Sequence, residues 1–161
     1  MAYFERIVHG LARELDRIAG WAIVAMMALV VVNVILRRVW HPILGTTEFV
    51  GFLAAVVIGF AIAYCAALKG HIAVTFIADR FPQRTQAIID VIIGIIAVLF
   101  FGLVVWQIGL YATDMVISGE VSPTIKAPFF IFVYGVAFGI LALWLVLLVD
   151  LIKSVAKAVK K

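Results

Sequence analysis

The residues able to do covalent or redox chemistry are few and scattered. Cys65 is the only thiol, so no disulfide can form within the chain and a membrane thiol relay, which needs a pair, is excluded. The three histidines, His9, His41 and His71, stand apart, and no two fall inside an apolar run where they could clamp a haem from both sides. No HExxH, CxxC, GxSxG or phosphate-loop pattern occurs. No enzyme activity, cofactor, metal or nucleic-acid partner is therefore expected. A chain that moves ions by itself keeps ionisable groups in the middle of its membrane spans, where they are costly unless used. Here Asp90, Asp114 and Asp150 all fall at the ends of apolar runs. The polar groups inside the runs include Asn33, Gln107, Tyr64 and Tyr134. Amides in lipid seek partners whatever the function, which predicts an Asn33–Gln107 hydrogen bond between helices.

Those residues are positioned by long apolar elements. Of 161 residues, 66% are hydrophobic and 14% charged, against roughly half and a quarter in soluble domains. A soluble globular fold is excluded. Apolar runs cover 18–36, 49–68, 91–112 and 127–149, and about 20 residues at roughly 1.5 Å each cross a hydrocarbon core of about 30 Å. Period-two alternation is absent, which argues against a barrel. The expected fold is one all-α integral membrane domain with four transmembrane helices. Ahead of them, in 1–17, Phe4, Ile7, Val8, Leu11 and Leu15 recur at three- and four-residue steps. That pattern predicts an amphipathic helix lying on the inner leaflet. The first run has no small-x-small cleavage site and is expected to stay as an anchor.

Basic residues assign the sides. Arg6, Arg13, Arg17, Lys69, Arg80, Arg84, Lys153, Lys157, Lys160 and Lys161 occupy the terminal segments and the middle loop, against Arg37, Arg38 and Lys126 in the other two loops. The positive-inside rule then predicts that both termini are cytoplasmic. Trp21 and Trp144 are placed near the inner interface, Trp40 and Trp106 near the outer one, as two aromatic belts. The basic tail 150–161 is read either as drawn to anionic headgroups or as a plain stop-transfer flank.

Small residues mark the packing faces. Gly51, Ala55, Gly59, Ala63 and Ala67 follow at four-residue steps along the second run, and Gly135 and Gly139 repeat the spacing in the fourth. Such ridges let another backbone approach closely, either inside this chain or on a second membrane protein. Thr46 or Thr47 can cap the second helix, with Glu48 in its first turn against the positive end of the dipole. Arg37 and Arg38 run against the positive-inside bias. They call for an acidic or phosphate partner, or else snorkel to headgroups. Pro128 suits the first turn of the fourth helix.

Taken in order, Asn33-Val34 with Arg37-Arg38, Thr47-Glu48, Gly70-His71-Ile72-x-Val74, Gly119-Glu120-x-Ser122-Pro123 and Pro128 followed by Tyr134 form a pattern. Over nearly its whole length the chain resembles the small membrane subunit, the Q component, of tripartite ATP-independent periplasmic (TRAP) transporters. Thr75 departs from it, standing where many relatives have an aspartate. The resemblance implies a bacterial or archaeal inner-membrane complex with a large multi-span permease and a periplasmic substrate-binding protein. It implies sodium-driven uptake of organic acids such as sialic acid or C4-dicarboxylates. This chain would be a scaffold, with Arg37, Arg38, Glu48, Gly51, Ala55, Gly59, Ala63, His71, Gly135 and Gly139 meeting partner or phospholipid, and Asn33, Gln107 and Tyr134 as intramembrane polar packing. An alternative is the membrane anchor of a haem- or quinone-linked redox enzyme. A small multidrug-type antiporter also has four helices, but it depends on a membrane-embedded glutamate that is missing here.

Overall fold

The computed structural model describes residues 2–41, 43–68, 83–122, 124 and 126–159. It has four helices: α1 (Ala2–Val39), α2 (Thr46–Ala67), α3 (Gln83–Ser118) and α4 (Phe130–Val159). Each contains a stretch long and apolar enough to cross a bilayer, at Arg6–Val39, Thr46–Ala67, Ile88–Ser118 and Phe130–Ala156. The chain is an all-α, multi-pass membrane protein, as its runs of apolar sequence demand. Among the described residues the extended structure is a single antiparallel bridge between Val121 and Pro128.

The helices outrun the apolar cores that predict them. At 36 residues, α3 is roughly 54 Å long, well beyond a hydrocarbon thickness of about 30 Å. The largest difference is at the N-terminus. No separate interfacial helix exists over the described part of 1–17, because α1 runs unbroken for 38 residues. Its apolar stripe, Val8, Ala12 and Leu15, is buried in one cluster with Ala63 and Ala66 of α2 and Ala142, Leu143, Val146 and Val149 of α4. A three-and-four periodicity fits a neighbouring helix as well as a leaflet, and Gly20 alone does not stop a helix between good helix formers. The opposite face stays exposed, with Arg17 bonded to Glu14 at 2.7 Å.

The four helices form a row. α1 packs on α2, α2 on α4 and α4 on α3, with a smaller contact between α1 and α4. The two central helices are joined where Gly139 lies directly on Gly59: a Cβ on Gly139 would stand 2.5 Å from both the carbonyl carbon and the oxygen of Gly59. Gly135 faces Val56 in the same seam, at 3.2 Å from its Cγ2 by the same construction. The seam between α3 and α4 is built differently. There Gly94 receives Leu151 and Gly102 receives the indole of Trp144. The two edge helices bury little: the most apolar window of α3 buries no residue.

Two helix starts also differ from expectation. The N-cap of α2 is Gly45, at φ 79, and no side chain caps it; the left-handed conformation there is one that glycine adopts at no steric cost. Thr46 is occupied otherwise, its Oγ1 donating to the carbonyl of Ile43 at 2.9 Å. Pro128 lies before α4 rather than in its first turn, held in the bridge to Val121. The helix opens instead with the amides of Phe132 and Val133 both reaching the carbonyl of Phe129, at 3.1 and 3.2 Å.

Candidate functional site

Asn33, Arg37, Arg38 and Glu48 lie at the end of the bundle distal to the termini, beside the α1–α2 and α3–α4 connections. Asn33, near the distal end of α1, accepts at Oδ1 a hydrogen bond from the amide of Ile43, at 2.8 Å. The expected Asn33–Gln107 bond does not form. α1 packs mainly on α2 and α3 on α4, Gln107 is exposed, and the connecting segment offers Asn33 a backbone donor much nearer in sequence. Arg37 and Arg38 occupy the last turn of α1, where the negative end of the helix dipole favours cations. Both are exposed, with no ion pair among the described residues.

Glu48 joins the two connections. Its carboxylate accepts hydrogen bonds from the hydroxyls of Ser122 and Thr124. Ser122 is fully buried and anchors its own loop through the backbone, its amide donating to the carbonyl of Ala127 and its carbonyl accepting from Lys126, each at 2.9 Å. Lys126 sits at φ 56 to close that turn. The Thr47-Glu48 and Gly119-Glu120-x-Ser122 segments, separate in sequence, thus form one clasp. Sequence reasoning missed it. The available signal was a carboxylate in a first helical turn together with hydroxyls in the only other connection on that side.

The small-residue ridge of α2 divides in two. Gly59 and Ala63 are buried, Gly59 lying against Val136 and Gly139 of α4. Gly51 and Ala55 are exposed, and nothing lies within 4 Å of a Cβ placed on Gly51. Tyr134 is exposed on α4. His71 lies outside the described residues. His9 lies near the start of α1 and His41 just past its end, separated by roughly 45 Å of helix, so these two cannot flank one haem. Phe52 packs edge-on against Phe129 and stacks on Phe132, with centroids at 5.1 and 4.8 Å, tying α2 to the start of α4.

Trp144 also differs from its expected place in an aromatic belt. Its Nε1 donates to the backbone carbonyl of Val98 on α3, at 3.0 Å, and Gly102 leaves room for the ring. The indole N–H is satisfied by a helix carbonyl rather than by interfacial water. Trp144→Phe keeps most of the apolar contact and loses that bond. We expect it to lower the thermal stability of the detergent-solubilised protein by about 1 kcal/mol, read from its unfolding curve.

Comparison with known proteins gives one match. The family model described as "Tripartite ATP-independent periplasmic transporters, DctQ component" matches residues 26–157. No curated protein and no solved structure matches the chain.

Proposed function

Because this chain belongs to the DctQ family of tripartite ATP-independent periplasmic transporters, we propose that it braces the large multi-span permease subunit of such a transporter within the inner membrane. The observation that carries the reading is the family match over most of the chain. The distribution of charge agrees with it: between Arg17 and Arg37, and within the apolar runs of the other three spans, no acid or base interrupts the helices. Such a chain has no intramembrane group to carry coupling ions. The carrier role falls to the large subunit, with cargo delivered by the periplasmic binding protein. The row of helices supports a brace, since α1 and α3 leave long apolar faces for lipid and partner.

In this reading the termini are cytoplasmic and the distal connections periplasmic, as the basic residues sort. Uptake is sodium-coupled and the cargo an organic acid, of the sialic acid or C4-dicarboxylate kind; both rest on the family resemblance. Gly51, Ala55, Arg37, Arg38 and His71 are proposed to meet the permease, phospholipid or the binding protein. Gly59, Ala63, Gly135 and Gly139 serve those contacts by fixing the α2–α4 seam.

Affinity purification from the native membrane in mild detergent tests the assembly. A large multi-span permease should accompany this chain in near one-to-one ratio; recovery of the chain alone, or with a soluble redox enzyme, overturns the reading. Arg37→Glu is expected to lower uptake severalfold while leaving that ratio unchanged, and an undiminished uptake rate removes Arg37 from the contact.

A further inference from the structure

Because α2 and α3 each make their extensive contacts with α4 rather than with each other, the row leaves a groove between them, floored by the start of α4. At the distal end this groove opens into a cavity of about 370 Å³, lined by Phe52 and Ala55 of α2, Tyr111 and Met115 of α3, and Phe132 of α4, with Glu120 at its polar edge. Its walls are apolar, and its volume is at the small end of the range for ligand pockets, about 300–1,000 Å³. The slot is shallow and open on one side, a shape that suits a single alkyl chain lying along its apolar wall.

The edge of the cavity chooses the head group. Glu120 is exposed and has no hydrogen bond or ion pair among the described residues. It follows the last turn of α3 after Gly119, whose φ of 64 turns the chain away from the helix. An unpaired carboxylate beside an apolar slot, at the level where a membrane span ends, is complementary to an amphiphile with a cationic head. Lys126, exposed in the same loop, attracts a phosphate in any phospholipid and so does not discriminate between head groups.

From this geometry we infer that the distal groove between α2 and α3 is a binding site for one ethanolamine phospholipid, an acyl chain lying against Ala55, Met115 and Phe132 and the ammonium on Glu120. The inference needs only a membrane-spanning chain and does not rest on the transporter reading, but it requires that the groove stay open to lipid in whatever assembly the chain forms. The lipid fills a gap that the row leaves open, and so couples two helices whose extensive contacts are with α4.

Native mass spectrometry of the full chain tests this, with phosphatidylethanolamine and phosphatidylglycerol of identical acyl chains offered in equal amounts. The expected result is one retained lipid with a roughly fivefold preference for phosphatidylethanolamine, the size of an exposed ion pair. Glu120→Gln should abolish the preference and keep a bound lipid. Ala55→Trp, at an exposed position on the wall of the slot, should fill it and release both lipids. Equal retention of the two lipids by the unaltered chain, or a preference that survives Glu120→Gln, overturns the inference. So does loss of the lipid when the chain is copurified with its permease, since the groove would then seat a side chain of that partner.

Discussion

Gly139→Ala should separate α2 from α4 and destabilise the subunit by about 1–3 kcal/mol, while Gly59→Ala on the facing helix should be nearly silent. The two glycines touch, yet their surroundings differ. A methyl on Gly139 would stand 2.5 Å from the carbonyl carbon and oxygen of Gly59 and 3.0 Å from Cδ1 of Phe60. Backbone atoms of a hydrogen-bonded helix cannot move aside one by one, so the whole seam must open. A methyl on Gly59 meets the Cα and carbonyl oxygen of Val136 at 3.5 Å, an ordinary contact distance. There the helix propensity gained on replacing glycine, about 0.5–1 kcal/mol, offsets any small repacking. Because lipid tails are as apolar as the helix faces, close packing rather than burial from water holds this seam, and losing it is not compensated elsewhere. Thermal unfolding in detergent reads the difference directly, and uptake should follow stability. Gly59→Leu, whose branched side chain does not fit against Val136, should abolish assembly. Equal melting temperatures for Gly139→Ala and the unaltered protein would show that the seam is not set by this contact.

How far the molecule is legible in its sequence depends on the range of the interaction. Length and apolarity alone place all four spans, since only a helix satisfies its backbone within lipid. The small-residue spacing on α2 and α4 marks a close contact, but spacing is a property of one helix and does not name the partner. Only the fold shows that Gly59 faces Gly139 and that Gly51 faces nothing among the described residues. The stripe Val8-Ala12-Leu15 is equally ambiguous, because a leaflet and a neighbouring helix select the same periodicity. Trp144 is hard to read for a related reason. A tryptophan near a span end suits an interfacial belt, yet its donor finds the carbonyl of Val98 because Gly102 on another helix clears the way, and no pattern local to α4 carries that information. Asn33 shows the opposite error. An amide in lipid points to a partner on another helix, yet the donor to Asn33 lies in the adjoining connection, where less of the chain need be ordered to reach it.

Removing the Glu48 carboxylate should release the α3–α4 connection from the rest of the bundle. In the native protein it accepts from Ser122 and Thr124, and hydrogen bonds to a charged acceptor are roughly twice as strong as neutral ones. Glu48→Ala leaves the hydroxyl of the fully buried Ser122 without its acceptor, a loss of about 1–3 kcal/mol. It also removes a negative charge from the first turn of α2, about 0.3–1 kcal/mol at an exposed helix start. Glu48→Gln keeps one carbonyl acceptor and should lie between the two. Ser122→Ala should cost less than Glu48→Ala, because Thr124 still holds the carboxylate and no buried hydroxyl is orphaned. The pair Glu48→Ala with Ser122→Ala should cost less than the sum of the single changes, as groups sharing one bond do. Hydrogen exchange separates this local release from global unfolding. The amides of Ser122 and Lys126, bonded within their own loop, should lose protection while those in the α2–α4 seam keep theirs. Uniform loss across the bundle would mean that Glu48 supports the fold as a whole. Unchanged protection at Ser122 and Lys126 would mean that the loop's own backbone bonds suffice, and that the clasp does not govern the surface this end presents.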